Sequence, residues 1–274
     1  MNLGPVGLFD SGVGGGTVLA ELRRLLPAED LLFLADQANC PYGPRSDDEL
    51  RALSAANTGW LLARRAKLIV VACNTASAAA LHWLRREFPQ VPFVGMVPAV
   101  KPAARQTRSG VVGVLATPAT VSGELLRDVV AQWSGGALVI AQPCPGLAER
   151  VEEGALDDPA TDRLLGAFLA PLMAAGADTI VLGCTHYPYL LPRIRRIVGP
   201  AVAVIDAAPA VAAQARRVLV AGELLHPDPS RLGGTSYATT GDPASLAELV
   251  RRLGLPPGTV EAVQAPGRGD NIVT

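Results

Sequence analysis

The sequence predicts an α/β protein of two pseudo-symmetric, doubly wound domains with mainly parallel sheets and a functional cleft between them. Short apolar runs ending in Gly, Asp, Cys or Thr alternate with longer stretches of helical period, as strand-helix-strand units do. The chain also resembles itself. VGLFDS at 6–11 matches VGVLAT at 112–117, an offset of 106, and IVVACNT at 69–75 matches IVLGCT at 180–185, an offset of 111 at the cysteine. Apolar strands resemble one another cheaply, but the nearly equal offsets and the shared polar ending point to two related halves.

In order along the chain, VGLFD (6–10) reads as the first strand. Residues 47–66 read as a helix: Asp47 and Asp48 open it, Leu50, Leu53, Asn57 and Leu61 share a face, and Arg64, Arg65 and Lys67 lie at its end. Acid first and base last suits the helix dipole. LIVVAC (68–73) follows as a strand; SGVVGVLAT (109–117) and DTIVLGC (178–184) read as two further buried strands, with a helix over 159–176 between them. VAVID (202–206) and SYATT (236–240) are the remaining strands expected. Crossovers between the halves are expected at 97–109 and 206–209, which assigns 1–97 plus 208–274 to the first domain and 98–207 to the second.

The 274 residues are 49% hydrophobic and 18% charged, ample for one large core or two ordinary ones. Net charge is −1 and the arginines are scattered, so no footprint for nucleic acid or an anionic membrane is present. The N-terminus lacks the pattern of a signal peptide and no apolar run approaches the ~20 residues of a membrane span, so a cytoplasmic location is expected. Cys40, Cys73, Cys144 and Cys184 form no CxxC pair; they are expected to be free thiols, with no metal site.

Ligands of open parallel sheets bind outside the carboxyl ends of the strands, which brings Asp10, Ser11, Cys73, Asn74, Thr75, Cys184, Thr185 and His186 to one functional edge. Each strand-end cysteine would sit at the start of a helix, where free amides favour a thiolate and lower its pKa. A lone buried cysteine is ordinary core filling; two in matched contexts are read as chemistry. Cys40 and Cys144 end no well-marked strand and are assigned no role. DSGVGGGT (10–17) lacks the Lys of a phosphate loop and the GxGxxG spacing, so a nucleotide is not expected, although such a turn can cradle a carboxylate. PYG (41–43) offers turn amides and the Tyr42 phenol to a small polar ligand. His186 can poise a neighbouring thiol near neutrality. Glu152 and Glu153 read most simply as a solvated helix end. The only lysines, Lys67 and Lys101, have no setting for a pyridoxal phosphate Schiff base, so no such cofactor is expected.

Taken together, GLFDSGVGGGTVLAELRRLLP, DQANCPYGPRS, VVACNTASAAAL, VGVLATPATV, LGCTHYPYLLP and YATTGD resemble, in order and spacing, the glutamate racemases of the aspartate/glutamate racemase superfamily, from residue 6 to about 253. The resemblance implies cofactor-independent interconversion of L- and D-glutamate, D-glutamate being destined for peptidoglycan, and a homodimer. It implies Cys73 and Cys184 as the two proton-transfer residues, with Asp10 assisting Cys73, and His186, supported by Glu152, assisting Cys184. It further implies substrate binding by Asp10, Ser11, Tyr42, Gly43, Asn74, Thr75, Thr185 and His186, with Asp36 matching an acidic position near PYG. Gly16 stands where the pattern has a larger apolar residue. The RGD tripeptide at 268–270 is read as chance in a mobile tail.

Two other readings stay open on sequence alone, ahead of a redox role for the thiols, against which the lack of a CxxC pair counts. One is an aspartate racemase or another thiol-dependent superfamily enzyme, against which His186 after Cys184-Thr185 weighs. The other is a non-catalytic module binding a small anion or a protein, which would tolerate loss of either cysteine.

Overall fold

The computed structural model describes residues 3–263; the RGD tripeptide and the last residues of the 208–274 segment lie outside them. Two wholly parallel sheets carry the fold. The first contains β1 (Val6–Asp10), β2 (Leu31–Ala35), β3 (Leu68–Val71), β4 (Phe93–Gly95), β9 (Thr235–Thr239) and β10 (Thr259–Ala262), in the order β10-β9-β2-β1-β3-β4. The second contains β5 (Val111–Ala116), β6 (Leu138–Pro143), β7 (Thr179–Gly183) and β8 (Ala203–Asp206), in the order β6-β5-β7-β8. Strands 2-1-3-4 and 6-5-7-8 thus repeat one topology, and the sequence matches fall on its two inner strands, β1 with β5 and β3 with β7.

Between the strands run α1 (Gly16–Leu25), α2 (Asp47–Ala63), α3 (Asn74–Glu87), α4 (Val100–Gln106), α5 (Pro118–Ser122), α6 (Glu124–Trp133), α7 (Leu147–Glu152), α8 (Pro159–Ala174), α9 (Leu191–Val198), α10 (Ala208–Ala221) and α11 (Pro243–Arg252). Helix α2 starts where Ser46 and Glu49 cap each other's backbone N–H, satisfying two otherwise orphaned donors. Strands β1, β2, β3 and β7 are buried along their whole length, which is why they read as unbroken apolar runs. Each fully buried Leu, Val or Phe among them contributes about 1.5–3 kcal/mol. Helix α10 packs back on α1 beside the first sheet. None of the helices among the described residues is long and apolar enough to cross a membrane.

Register then positions the site. Asp10 pairs with Ala35 and Phe9 with Val71, so β1, β2 and β3 end level, with Cys73 two residues past its strand. Ala116 pairs with both Pro143 and Gly183, which puts Cys144 and Cys184 level with Thr117. Lys67, expected at a helix end, is instead buried at the entrance of β3 and paired with Glu29 at 2.6 Å.

Candidate active site

The carboxyl ends of the two sheets face one another across a cavity of about 200 Å³. Its walls are Ser11, the 40–44 loop, Cys73 to Thr75, Thr117 and Pro118, the start of α7 with Cys144, and Cys184 to His186. The two strand-end thiols therefore belong to opposite halves of one cleft.

On the first side, Cys73 caps α3 and its sulfur accepts from Ala76 N at 3.5 Å. That amide favours the thiolate, as the sequence leads one to expect, but it is outweighed. Burial, together with the neighbouring Asp10 carboxylate, pushes the Cys73 pKa well above the thiol range. Asp10 is fully buried and accepts from Ser11 N at 2.7 Å and from Thr185 Oγ1, of the other half, at 2.9 Å. Burial raises its pKa, against the pull of His186 and its hydrogen bonds.

On the second side, Cys184 Sγ lies 3.6 Å from His186 Nδ1, and His186 Nε2 lies 2.6 Å from Glu152 Oε1. Glu152 is no solvated helix end. Its Oε1 also accepts from Val13 N at 2.6 Å, and its Oε2 from Gln37 Nε2 at 2.9 Å. Burial works against the imidazolium, yet hydrogen bonds to Cys184 and Glu152 lift the His186 pKa well above its ordinary value. Burial likewise works against the Glu152 carboxylate, and the His186 hydrogen bond prevails and lowers its pKa.

The glycine-rich turn acquires its meaning here. It does hold a carboxylate, but that of Glu152 rather than of a ligand. A Cβ on Gly12 would overlap the Glu152 carboxylate, and one on Gly14 would run into the His186 ring and come within 2.6 Å of Thr185 Oγ1. The glycines let the second half's His186 and Glu152 reach the end of β1.

Several walls differ from expectation. Tyr42 lines the cavity, but its phenol donates to Asp36 Oδ2 at 2.5 Å and accepts from Asn57 at 3.1 Å, so its one hydrogen is engaged within the protein. Cys40 and Cys144, assigned no role above, both line the cavity as free thiols, and burial pushes each up to about 12. Cys144 follows β6, a half-buried strand whose pattern is too weak to read. Thr117 was missed, although the repeat could have found it: it is the counterpart of Ser11, and it lies 3.0 Å from Thr75 Oγ1. Asn74 is buried, lines the cavity, and neither its Oδ1 nor its Nδ2 has a partner. No metal-holding group of His, Cys, Asp or Glu occurs among the described residues.

Comparison with known proteins fits this geometry. The family model described as Asp/Glu/Hydantoin racemase matches residues 16–215. A glutamate racemase of Roseiflexus sp. is 62% identical over 257 residues, 94% of each chain. The chain belongs to the glutamate racemase family. Among solved glutamate racemases, isoform RacE1 of Bacillus anthracis superposes with a TM-score of 0.85 at 32% identity, over 96% of this chain and 98% of that one. The Escherichia coli glutamate racemase, solved with L-glutamate and an activator, gives 0.83 at 31% identity, over 96% and 99%. In this chain both strand-end cysteines and His186 line one cavity, with Asp10 hydrogen-bonded to Thr185 and Glu152 to His186 behind its wall.

Proposed function

We propose that this chain racemises glutamate by a two-thiol 1,1-proton transfer that needs no cofactor, forming D-glutamate for peptidoglycan synthesis. One observation carries the reading: a cavity flanked by thiols from opposite halves holds the buried Asn74 amide with both polar atoms unpartnered. A buried amide left without partners costs about 1–3 kcal/mol, and a bound α-amino acid offers it a carboxylate and an ammonium. Family membership supplies glutamate as the substrate.

The α-proton of an amino acid is very weakly acidic, so the developing carbanion needs fixed donors on its carboxylate and exclusion of water. Asn74, Thr75 and Ser11 are neutral donors on rigid strand and helix ends, the Thr185 hydroxyl, already donating to Asp10, keeps its lone pairs for the substrate ammonium, and Gly43 lines the cavity with the 40–44 loop. One cysteine thiolate takes the proton from Cα, and the thiol on the opposite face gives its proton to the same carbon. The pair ends with its protonation reversed, and each sulfur serves as base in one direction and acid in the other. His186, held by Glu152, sits on Cys184, and Asp10 sits on Cys73.

The same proposal takes 1–97 with 208–274 as the Cys73 domain and 98–207 as the Cys184 domain, in line with sheet membership and with the packing of α10 on α1. It includes a cytoplasmic homodimer, measurable by sedimentation.

The test is L-glutamate in D₂O with the purified chain and no added cofactor, following circular dichroism and α-deuterium together. Loss of optical rotation with deuterium incorporation is expected, and turnover of L-aspartate should be far slower. A folded chain that produces neither signal refutes the reading.

A further inference from the structure

The cavity that holds the two thiols is lined, among the described residues, by no lysine or arginine. A dicarboxylate must nevertheless enter it. Beside it lies a larger groove of about 610 Å³. Three segments pass from the walls of one into the walls of the other: Gly43–Pro44 into Arg45–Ser46, Asn74–Thr75 into Ala78–Ala79, and Thr117–Pro118 into Ala119, with Thr75 facing both. The groove is thus a vestibule, walled by α2 and α3 from one half and by α5 and α6 from the other.

Its charged walls are Arg45, Arg51, Arg86 and Arg127 against Asp47 and Glu124, with His82 also facing it. Arg51 is held by Asp48 at 3.1 Å and Asp47 at 3.8 Å. Arg45 gives its Nε to the Asn39 carbonyl at 2.9 Å. Arg127 reaches only the Ser122 carbonyl, at 3.3 Å, and Arg86 has no hydrogen bond or ion pair among the described residues. Three guanidinium groups, Arg45 and Arg86 from one half and Arg127 from the other, therefore face the groove with no carboxylate partner among the described residues.

We propose that this vestibule is an anion-capture site which concentrates the incoming dicarboxylate before it passes to the neutral donors within. The inference rests on the racemase reading for the identity of that anion. The separation has a physical reason. His186 beside Cys184 can release its proton when that sulfur turns from base to acid, whereas a guanidinium beside either thiol would stay charged, stabilise the thiolate at all times and spoil that sulfur as an acid. Placed outside, the same charge still raises the local substrate concentration through the field, and leaves the thiols alone.

The test compares the full chain with R86Q, R127Q and the double variant, none of which touches the proton-transfer groups. Expected are an unchanged kcat and, for the double variant, a kcat/KM roughly threefold lower at low ionic strength, a modest case of electrostatic steering. The difference should vanish toward 1 M salt, where the screening length is about 3 Å. Equal kcat/KM at every salt concentration, or a deficit that persists at 1 M, overturns the inference. A second arm needs no turnover: pyrophosphate is titrated against tryptophan fluorescence, with W83F assigning the signal to the groove. A saturable change abolished in the double variant is expected; no change, or one that the double variant retains, overturns it. Failure of the unsubstituted chain to racemise glutamate would instead strike the racemase reading, and the pyrophosphate arm would still judge the groove.

Discussion

The two halves share a topology and differ at five of the six positions matched around the site. With the repeat offsets applied, Cys73 corresponds to Cys184, Asn74 to Thr185, Thr75 to His186, Ser11 to Thr117, Asp10 to Ala116 and Gly14 to Thr120. Where the second half's Thr185 bonds to Asp10, the matching position to Asp10 in the other half is Ala116, which offers no side-chain acceptor, and the amide of Asn74, the counterpart of Thr185, has no partner. Where the second half's His186 lies against Gly14, the first half's Thr75 lies against Thr120, at 3.5 Å between hydroxyls. A duplicated frame has placed two thiols alike and then partnered them differently, one with a carboxylate and the other with an imidazole–carboxylate pair. Near-symmetry supplies the opposed geometry that inversion of a carbon needs; the departures from it set the protonation of each side and leave one amide for the ligand.

The comparison breaks most completely if one thiol is removed. Cys73→Ser and Cys184→Ser should each lower racemisation by about 10²–10⁴-fold or more, the usual worth of a positioned acid or base. Each variant retains one base on one face. Cys73→Ser should therefore exchange the α-proton of one enantiomer with D₂O, and Cys184→Ser that of the other, neither with inversion, as read by NMR on the separate enantiomers. In Cys184→Ser the exchange rate should climb on the alkaline side of the ordinary thiol range, because burial and Asp10 hold Cys73 protonated. Exchange of the same enantiomer by both variants would mean that the thiols do not flank Cα.

Next in size are the partners. Asp10→Asn and His186→Asn should each reduce kcat/KM by about 10²-fold. Enantiomers have equal free energy, so kcat/KM must fall equally in the two directions, and the asymmetry of the halves must appear in kcat and KM separately. His186 also carries a stability signature. Its folded pKa lies above the unfolded value of about 6.5, so its pairing contributes fully below that pH and is lost as pH rises through the raised value. Glu152, with its pKa lowered from 4.5, contributes above that value and loses its contribution as pH falls through the depressed one. Denaturant midpoints across pH should show the alkaline loss in the parent chain and not in His186→Asn.

How far the sequence announced these halves depends on burial. Strands β1, β3, β5 and β7 are buried on both faces, read as apolar runs, and carry the repeat; with them came the fold class and both thiols. The three-residue β4, the half-buried β6 and the exposed β10 have no such pattern and were not anticipated; the fully buried β2 has the apolar run LLFLA and was missed all the same. The direction of the Cys73 shift was misjudged because a helix-start amide is visible in sequence while the depth of burial and the approach of Asp10 are not. Glu152 reads as surface because its partners His186, Val13 and Gln37 come from three distant segments.

The glycine turn tests whether the asymmetry is steric as well as chemical. Gly14→Ala should push His186 and Thr185 from their places, lowering kcat/KM by up to about 10²-fold at a stability cost of about 1–3 kcal/mol. Thr120→Ala, at the matching position, removes a hydroxyl and a methyl group without adding bulk and should leave kcat within a few-fold. Equal effects in the two would mean that Gly14 is not there to admit His186.

The smallest effects separate two of the hydroxyl contacts that join the halves. Thr185→Val removes the donor to Asp10 Oδ2, a fully buried carboxylate, and leaves that oxygen without its partner from the other half. The expected loss is about 1–3 kcal/mol, the cost of an unsatisfied buried group. Thr75→Val removes a neighbour of Thr117, but Thr117 keeps its 3.0 Å bond to Thr120, so about 1 kcal/mol or less is expected. Both variants line the cavity and will perturb turnover, so urea midpoints at fixed pH are the measurement. Thr185→Val should also be the more pH-sensitive of the two, because its cost falls on an ionisable acceptor and that of Thr75→Val on a neutral one. A Thr75→Val loss as large and as pH-dependent as that of Thr185→Val would mean that the two crossings are equivalent, and that the halves differ less than their side chains indicate.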